Sequence, residues 1–423
     1  MRVVTFTRLW PNARQPNHGV FVEERMRRFA ALPGCSLRVV APIPWMPRLP
    51  IPMPERYAAA SEVPAVETRH GIVVEHPRYL VVPKIGLRLQ GGSLAAVATR
   101  TLARLRRAAP IDLVDAHFVY PDGYAAVVAA RRLGIPVVVS ARGSDIHSLP
   151  QNPGMRGLVA ETLAGATLLL AVSRPLADRM IELGADPAKV VVVPNGIDAA
   201  SFRFSPLSRE AVRRRLGIAP ETPLLLTVAR LEHVKGLDVL VDALAMAARR
   251  PGAVPATLAI VGTGSLRASL EARVRDAGLA GRVIFAGAIP HELLGEWYSA
   301  ADLFCLPSRA EGHPNALVEA LSCGTPVVAS AVGAVPDVLT ERAGCVVPPE
   351  NAAAFADGIA LALSRARAGA WPRPQVRAEV SGRTWEHVAD TVLEVFQEAA
   401  ARARHKAPAP SRPALSPAFE TVR

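Results

Sequence analysis

Leu303-Phe-Cys-Leu-Pro-Ser-Arg-Ala-Glu311-Gly-His-Pro314-Asn-Ala-Leu-Val-Glu319-Ala-Leu-Ser-Cys-Gly324-Thr-Pro326 reads as apolar strand, loop, helix and the opening of the next strand. Pro314 suits the first helical position, where a missing N–H costs nothing. Gly324 suits the helix end, and Pro326 cannot continue it. Glu311 then lies on the loop before the helix, and Glu319 about one and a half turns inside it, so both can face one cleft. The first-turn N–H groups of Asn315, Ala316, Leu317 and Val318 point the same way and make a ready anion site. A diphosphate there, with one carboxylate on each side for sugar and ribose hydroxyls, is a coherent arrangement. Two solvated glutamates beside an ordinary cap is the plain alternative, and the whole phrase outweighs it.

The same alternation extends through the chain. The first half has β-branched runs at 3–7, 37–41, 111–116, 136–140, 167–172 and 190–193. Amphipathic stretches at 20–31, 93–108, 123–133 and 174–183 lie between them. Strands near 224–228, 257–261, 283–285, 303–305 and 326–329 continue the pattern. Near-continuous apolar strands separated by helices predict parallel sheets covered on both faces. The expected fold is α/β, two doubly wound Rossmann-like units joined in the turn-rich stretch 194–223. Ligands in such sheets bind beyond the carboxyl ends of the strands, so a cleft between the units is the expected site. The expected division is 1–195, 196–380, a helix at 381–404 packing back on the first unit, and a disordered tail at 405–423. The proline-dense IPWMPRLPIPMPERY, 43–57, reads as a surface loop.

The 423 residues are half hydrophobic and one-fifth charged, a globular composition. The net charge is +12, yet only four of the 49 basic residues are lysines. Such an excess reads equally as genomic base composition or as attraction to anions such as nucleotide phosphates or an acidic membrane face. Aromatics at 5% argue against nucleic acid. The four cysteines (35, 305, 323, 345) show no C-x-x-C spacing and read as buried, reduced thiols, favouring the cytoplasm. No signal peptide or bilayer-length apolar run is read, so membrane contact is expected to be peripheral, at the inner face of the cytoplasmic membrane. The basic helix around Arg25, Arg27 and Arg28 reads first as a solvated face, and with the Trp/Met/Pro loop it is the candidate surface for that contact.

The paired-glutamate phrase resembles the motif of the retaining glycosyltransferases of family 4, which have the GT-B fold. The resemblance spans nearly the whole chain. Leu225-Leu-Thr-Val-Ala-Arg230-Leu-Glu-His-Val-Lys235-Gly is similar to that family's strand, basic residue and lysine–glycine turn. Ala259-Ile-Val-Gly-Thr-Gly264, Pro194-Asn-Gly-Ile-Asp198 and 283–290 share the likeness. The resemblance implies that Arg230 and Lys235 hold the donor diphosphate, that Glu311 touches donor-sugar hydroxyls beneath the reacting carbon, and that Glu319 binds the ribose. Two cations at a strand's carboxyl end suit a leaving group whose charge develops. His18-Gly19, after the first strand, resembles the family's glycine loop, with His18 where many relatives have glycine. His117 matches a histidine near a donor-sugar hydroxyl. Ala141-Arg142-Gly-Ser144-Asp145 resembles a His-Gly-x-Asp turn, with arginine replacing histidine; Arg142, Ser144 and Asp145 are acceptor-side or phosphate candidates.

The resemblance thus implies a hexosyltransferase working on a nucleoside-diphosphate sugar, a UDP- and a GDP-sugar being equally open. The acceptor is expected to be a saccharide or lipid-linked saccharide of cell-surface polysaccharide. No cofactor is expected, and no metal, since no Asp-x-Asp stands in a suitable place. Two rivals share the fold: a hydrolysing nucleotide-sugar 2-epimerase, and a non-catalytic scaffold.

Overall fold

The computed structural model describes residues 1–46, 60–81, 86–250 and 255–406. Most of the proline-dense segment, from residue 47 to 57, lies outside them, as does the expected tail from residue 407.

Among the described residues, sixteen strands form two large sheets and one small pair. The first sheet runs β10-β9-β8-β7-β1-β2-β5-β4. Its strands are β1 (Arg2–Phe6), β2 (Ser36–Val40), β4 (Val66–Arg69), β5 (Ile72–Glu75), β7 (Leu113–His117), β8 (Val137–Ala141), β9 (Leu168–Ala171) and β10 (Val190–Val192). The second is wholly parallel in the order β13-β12-β11-β14-β15-β16. It contains β11 (Leu224–Val228), β12 (Thr257–Val261), β13 (Val283–Gly287), β14 (Leu303–Leu306), β15 (Val327–Ser330) and β16 (Gly344–Val347). Renumbered from its own first strand, that is the 3-2-1-4-5-6 order of the dinucleotide-binding fold. β7, β8, β9, β11, β14 and β15 are buried almost throughout because helices cover both faces.

Three features depart from the expectation. The first sheet ends in an antiparallel hairpin, β4–β5, turned by His70-Gly71 with both residues at positive φ. Residues 43–45 are not loop: Ile43–Trp45 forms β3, paired parallel to β6 (Arg78–Leu80). Pro44 is tolerated because the ribbon has only two strands and one side of β3 needs no N–H partner. Pro314 caps the helix Asn315–Ser322 rather than opening it, since its ψ of 71° is not helical. All four cysteines are free thiols; Cys305 and Cys323 are buried, whereas Cys35 and Cys345 are half-buried.

One apolar core fills the second unit, and two cover opposite faces of the first sheet. The final helix, Trp385–Lys406, supplies Val388, Val392 and Phe396 to one of those faces. There Phe396 meets Phe29 edge-on with centroids 5.3 Å apart. The chain crosses between units twice, and the crossings touch: Ile197 N–H donates to Arg383 O at 2.7 Å.

Candidate active site

In the second sheet the strand order reverses between β11 and β14, so the segments leaving these two strands diverge and leave a crevice. Arg230 and Lys235 follow β11, and Glu311 follows β14. Lys235 Nζ donates to Glu311 Oε1 at 2.7 Å, and Ser308 Oγ donates to the same oxygen at 2.6 Å. The Glu311 side chain is 8% exposed and that of Lys235 21%. Arg230 is exposed, and among the described residues its guanidinium has no hydrogen-bond or ion-pair partner. Arg309 fixes the loop by a two-pronged bond to Asp238 (2.9 and 2.8 Å) and a third to Glu350. Sequence reasoning missed Arg309, although it lies inside the quoted phrase.

The helix start offers fewer donors than expected. Asn315 N–H donates to His313 O, while Leu317 and Val318 N–H both turn back to Pro314 O. Among the described residues, that tight first turn leaves Ala316 N–H as the first-turn donor without a protein acceptor. Glu319 sits on the same helix, held by Tyr298 OH at 2.8 Å and His291 Nε2 at 3.1 Å. Burial alone would lower the His291 pKa, but its bond to Glu319 and the charges of Glu319, Glu24 and Glu292 outweigh that and raise it. Burial, then Glu319, pushes the Tyr298 phenol far above its usual range. Neither partner was legible, because the spacing from 291 and 298 to 319 becomes contact only through the packing of two helices.

In the first sheet the reversal falls between β1 and β7. The loop after β1 ends at Gly19, whose φ is 76° and where a Cβ would lie 2.4 Å from Leu9 O, so the close turn requires glycine. Arg8, on that loop, is locked to buried Asp122, which follows β7: Asp122 accepts from Arg8 N–H at 2.6 Å and from Nε and Nη2 near 3.1 and 3.0 Å. His18 retains much open surface, yet partial burial first, and nearby Arg8 and Arg230, lower its pKa. It therefore stands where the two units face each other.

His117 is fully buried. Its Nε2 lies 2.8 Å from Asp115 Oδ2, and its Nδ1 meets the Arg142 guanidinium. A guanidinium only donates, so Nδ1 accepts and the proton sits on Nε2. Burial holds this imidazole neutral, with its pKa lowered to about 4. Both ring nitrogens are thus occupied. Asp145 corrects another expectation: its carboxylate is fully buried and accepts N–H bonds from Val119, Arg142 and Gly143. It shapes the turn and has no oxygen free for an acceptor. Ser144 is exposed beside it.

The units meet across this turn. Asn195 Nδ2 donates to Asn315 Oδ1 at 3.0 Å. A Cβ on Gly312, next to Glu311, would lie 2.4 Å from Arg142 O, so only glycine allows this approach. A cleft of about 940 Å³ opens beside the contact, with Asn17, Phe21 and Glu24 on one wall and His291, Asn315 and Glu319 on the other.

The helix Val20–Ala30 does not present the basic face expected of it. Arg25 is 1% exposed, and Arg27 and Arg28 are partly buried in ion pairs with Glu24, Asp198 and Glu386. The final helix covers it, so its arginines serve packing between elements. No helix of the described residues is long and apolar enough to cross a membrane.

Comparison with known proteins agrees with this geometry. The family "Glycosyltransferase Family 4" matches residues 57–201, and "Glycosyl transferases group 1" matches residues 208–370. A putative teichuronic acid biosynthesis glycosyltransferase, TuaC of Bacillus subtilis, is 30% identical over 85% of this chain and 88% of its own length. A D-inositol 3-phosphate glycosyltransferase of Catenulispora acidiphila is 32% identical over 94% and 96%. Among solved structures, HepE of Anabaena in complex with UDP and glucose superposes with a TM-score of 0.70. It is 21% identical, with 94% of this chain and all of that one covered, which establishes the shared GT-B fold. The chain belongs to the family 4, group 1 glycosyltransferases.

Proposed function

We propose that this glycosyltransferase moves a hexose, with retention of configuration and without a metal, from a nucleoside-diphosphate sugar to a saccharide or lipid-linked saccharide of a cell-surface glycan. One observation carries the reading: Lys235 and Glu311 meet at 2.7 Å across the reversal point of the second sheet, with Arg230, exposed and without a partner among the described residues, on the same loop as Lys235. A diphosphate entering there takes Arg230, Lys235 and Ala316 N–H as donors, and Glu319 faces the ribose. HepE, a structural neighbour, binds UDP and glucose, which supports a UDP-sugar as the first donor to try. The relative named for teichuronic acid biosynthesis supports a glycan acceptor, and the one named for D-inositol 3-phosphate a small polyol phosphate.

In the reaction the bond from the anomeric carbon to the β-phosphate oxygen breaks on the face where the acceptor oxygen bonds. The acceptor's hydroxyl proton passes to the departing phosphate. Arg230 and Lys235 stabilise the charge that gathers on the diphosphate, the task a metal performs elsewhere. Glu311, once Lys235 turns to phosphate, is left to bind donor-sugar hydroxyls. Such an enzyme works in the cytoplasm, where nucleotide sugars are held, or at the inner face of the membrane. Incubation of UDP- and GDP-hexoses with saccharide and lipid-linked acceptors, followed by NMR of the product, tests the reading. Transfer with a retained anomer, unchanged by EDTA, is expected; an inverted anomer or an EDTA-abolished rate contradicts it.

A further inference from the structure

The two units share a directed chain of hydrogen bonds. It turns on Asn195, 4% exposed, which follows β10 at the crossing to the second unit. Asn195 Oδ1 accepts from Arg25 Nη2 at 3.3 Å and from Arg142 Nη1 at 3.1 Å, and buried Asp115 is the counter-charge to both arginines. A guanidinium only donates, so the atom that faces the arginines is the oxygen, and the Asn195 NH2 faces the other way. That NH2 meets Asn315 across the interface at 3.0 Å, and the atom it meets is therefore Oδ1. His313 Nδ1 lies 2.8 Å from the same oxygen, so it donates as well. Burial holds that imidazole neutral, with its pKa lowered to about 4, and its one proton is on Nδ1.

Each link fixes the next. Two arginines of the first unit orient Asn195, and Asn195 with His313 orients Asn315 of the second. Asn315 Nδ2 is the end of the chain, without a partner among the described residues. Asn315 lines the cleft, one helical turn before Glu319 and on the same face. Ala316, whose N–H the donor reading assigns to the diphosphate, is its neighbour in sequence. Turned over, the same side chain would present an oxygen, which repels an anion, where it now presents two N–H groups.

We propose that Asn195 is a positioning residue of the donor site, holding Asn315 so that its NH2 and not its oxygen meets the diphosphate. The proposal rests on the donor reading above. The polarity is imposed from the first unit and exists only while the two units touch. The donor site therefore gains one of its hydrogen-bond donors as they meet.

Reversing the polarity at Asn195 tests this. Asn195→Asp keeps the oxygen for the arginines but has no N–H, so Asn315 must turn over to donate to it. Asn195→Ala removes the contact and leaves His313 to hold Asn315 as it is. Calorimetric titration of UDP and GDP is expected to show binding weakened about tenfold or more in Asn195→Asp and less than about threefold in Asn195→Ala, the scale of one hydrogen bond to a charged group. The melting temperature of Asn195→Asp should equal or exceed that of wild type, since its carboxylate faces two guanidinium groups. Asn315→Ala should itself weaken the nucleotide about tenfold, and adding Asn195→Asp to it should change binding by less than about twofold. A purely structural Asn195 predicts the reverse order, with Asn195→Ala the more harmful, and that result overturns the proposal. An Asn195→Asp effect that persists in the Asn315→Ala background also overturns it, because the new charge then acts on the ligand directly. So does an Asn195→Asp protein that binds like wild type or does not fold. Wild-type affinity in Asn315→Ala overturns this proposal alone and leaves Lys235 its role, whereas a wild type that binds neither UDP nor GDP removes the donor reading with it.

Discussion

At the carboxyl ends of the strands that flank each reversal stand two ion pairs built differently, Arg8–Asp122 in the first sheet and Lys235–Glu311 in the second. Arg8 and Asp122 in the first sheet are joined through the backbone N–H and two guanidinium nitrogens, with Tyr79 OH beside them and Asp122 wholly buried. Lys235 and Glu311 in the second meet through a single bond, and the lysine keeps 21% of its side-chain surface. The first pair is a fixed brace, whose ends have no freedom to meet a ligand. The second is a resting contact, in which an approaching phosphate can take the lysine and a sugar the carboxylate. Under the proposed function, one topological position therefore holds a structural part in one unit and a working part in the other. Membership of a sheet edge or a cleft does not decide which; the number of bonds already made does.

The contrast is broken most sharply at the working pair. Glu311→Gln should cut turnover by roughly 100- to 1,000-fold, the range for losing one preorganised electrostatic contact, while the melting temperature stays close to wild type. Steady-state rates and a thermal melt check both halves, and a large fall in melting temperature would make this pair a brace as well. Asp122→Asn should do the reverse. Breaking a buried, multiply bonded pair costs about 3–5 kcal/mol, or roughly 10 °C for a chain of two such units. A melt within 2 °C of wild type, on a scale of roughly 2–4 °C per kcal/mol, would sink the distinction.

The smallest effect concerns His291, which holds Glu319 from the second unit with Glu24 of the first nearby. Its pKa is raised in the folded state, so its contribution is complete below the unfolded value near 6.5 and fades as pH rises through the folded value. His291 is one-third exposed, so solvent screening keeps the gain to a few tenths of a kcal/mol. The melting temperatures of wild type and His291→Gln should differ by about 1 °C at pH 6 and converge by about pH 9. A difference that grows with pH contradicts the assignment.

The sequence makes the two units legible in different degrees for the same reason. Around Lys235 and Glu311 the functional groups lie on loops next to strands and glycine turns whose patterns are local. Arg230, Lys235, Glu311 and Glu319 could therefore be nominated from spacing and family resemblance together, and the structure places Lys235 and Glu311 in contact. In the first unit, what Arg25 or Asp145 does depends on partners 100 or more residues away, or on burial that no local pattern reports. Arg25 sits on a helix rich in charge that reads as solvated. It is 1% exposed because the final helix, some 360 residues later, covers the same face. The His70-Gly71 hairpin escaped detection because its strands are short and half-exposed, with little apolar alternation to announce them.

The central claim is that Lys235, freed from Glu311, holds the donor diphosphate in the second unit. Titration of UDP and of GDP into wild type and Lys235→Ala, followed calorimetrically, addresses it directly. The account predicts that one of the two nucleotides binds the wild type and that Lys235→Ala weakens it at least tenfold, with an unchanged melt of the free protein. An affinity that Lys235→Ala leaves unaltered, or a wild type that binds neither nucleotide, would contradict it.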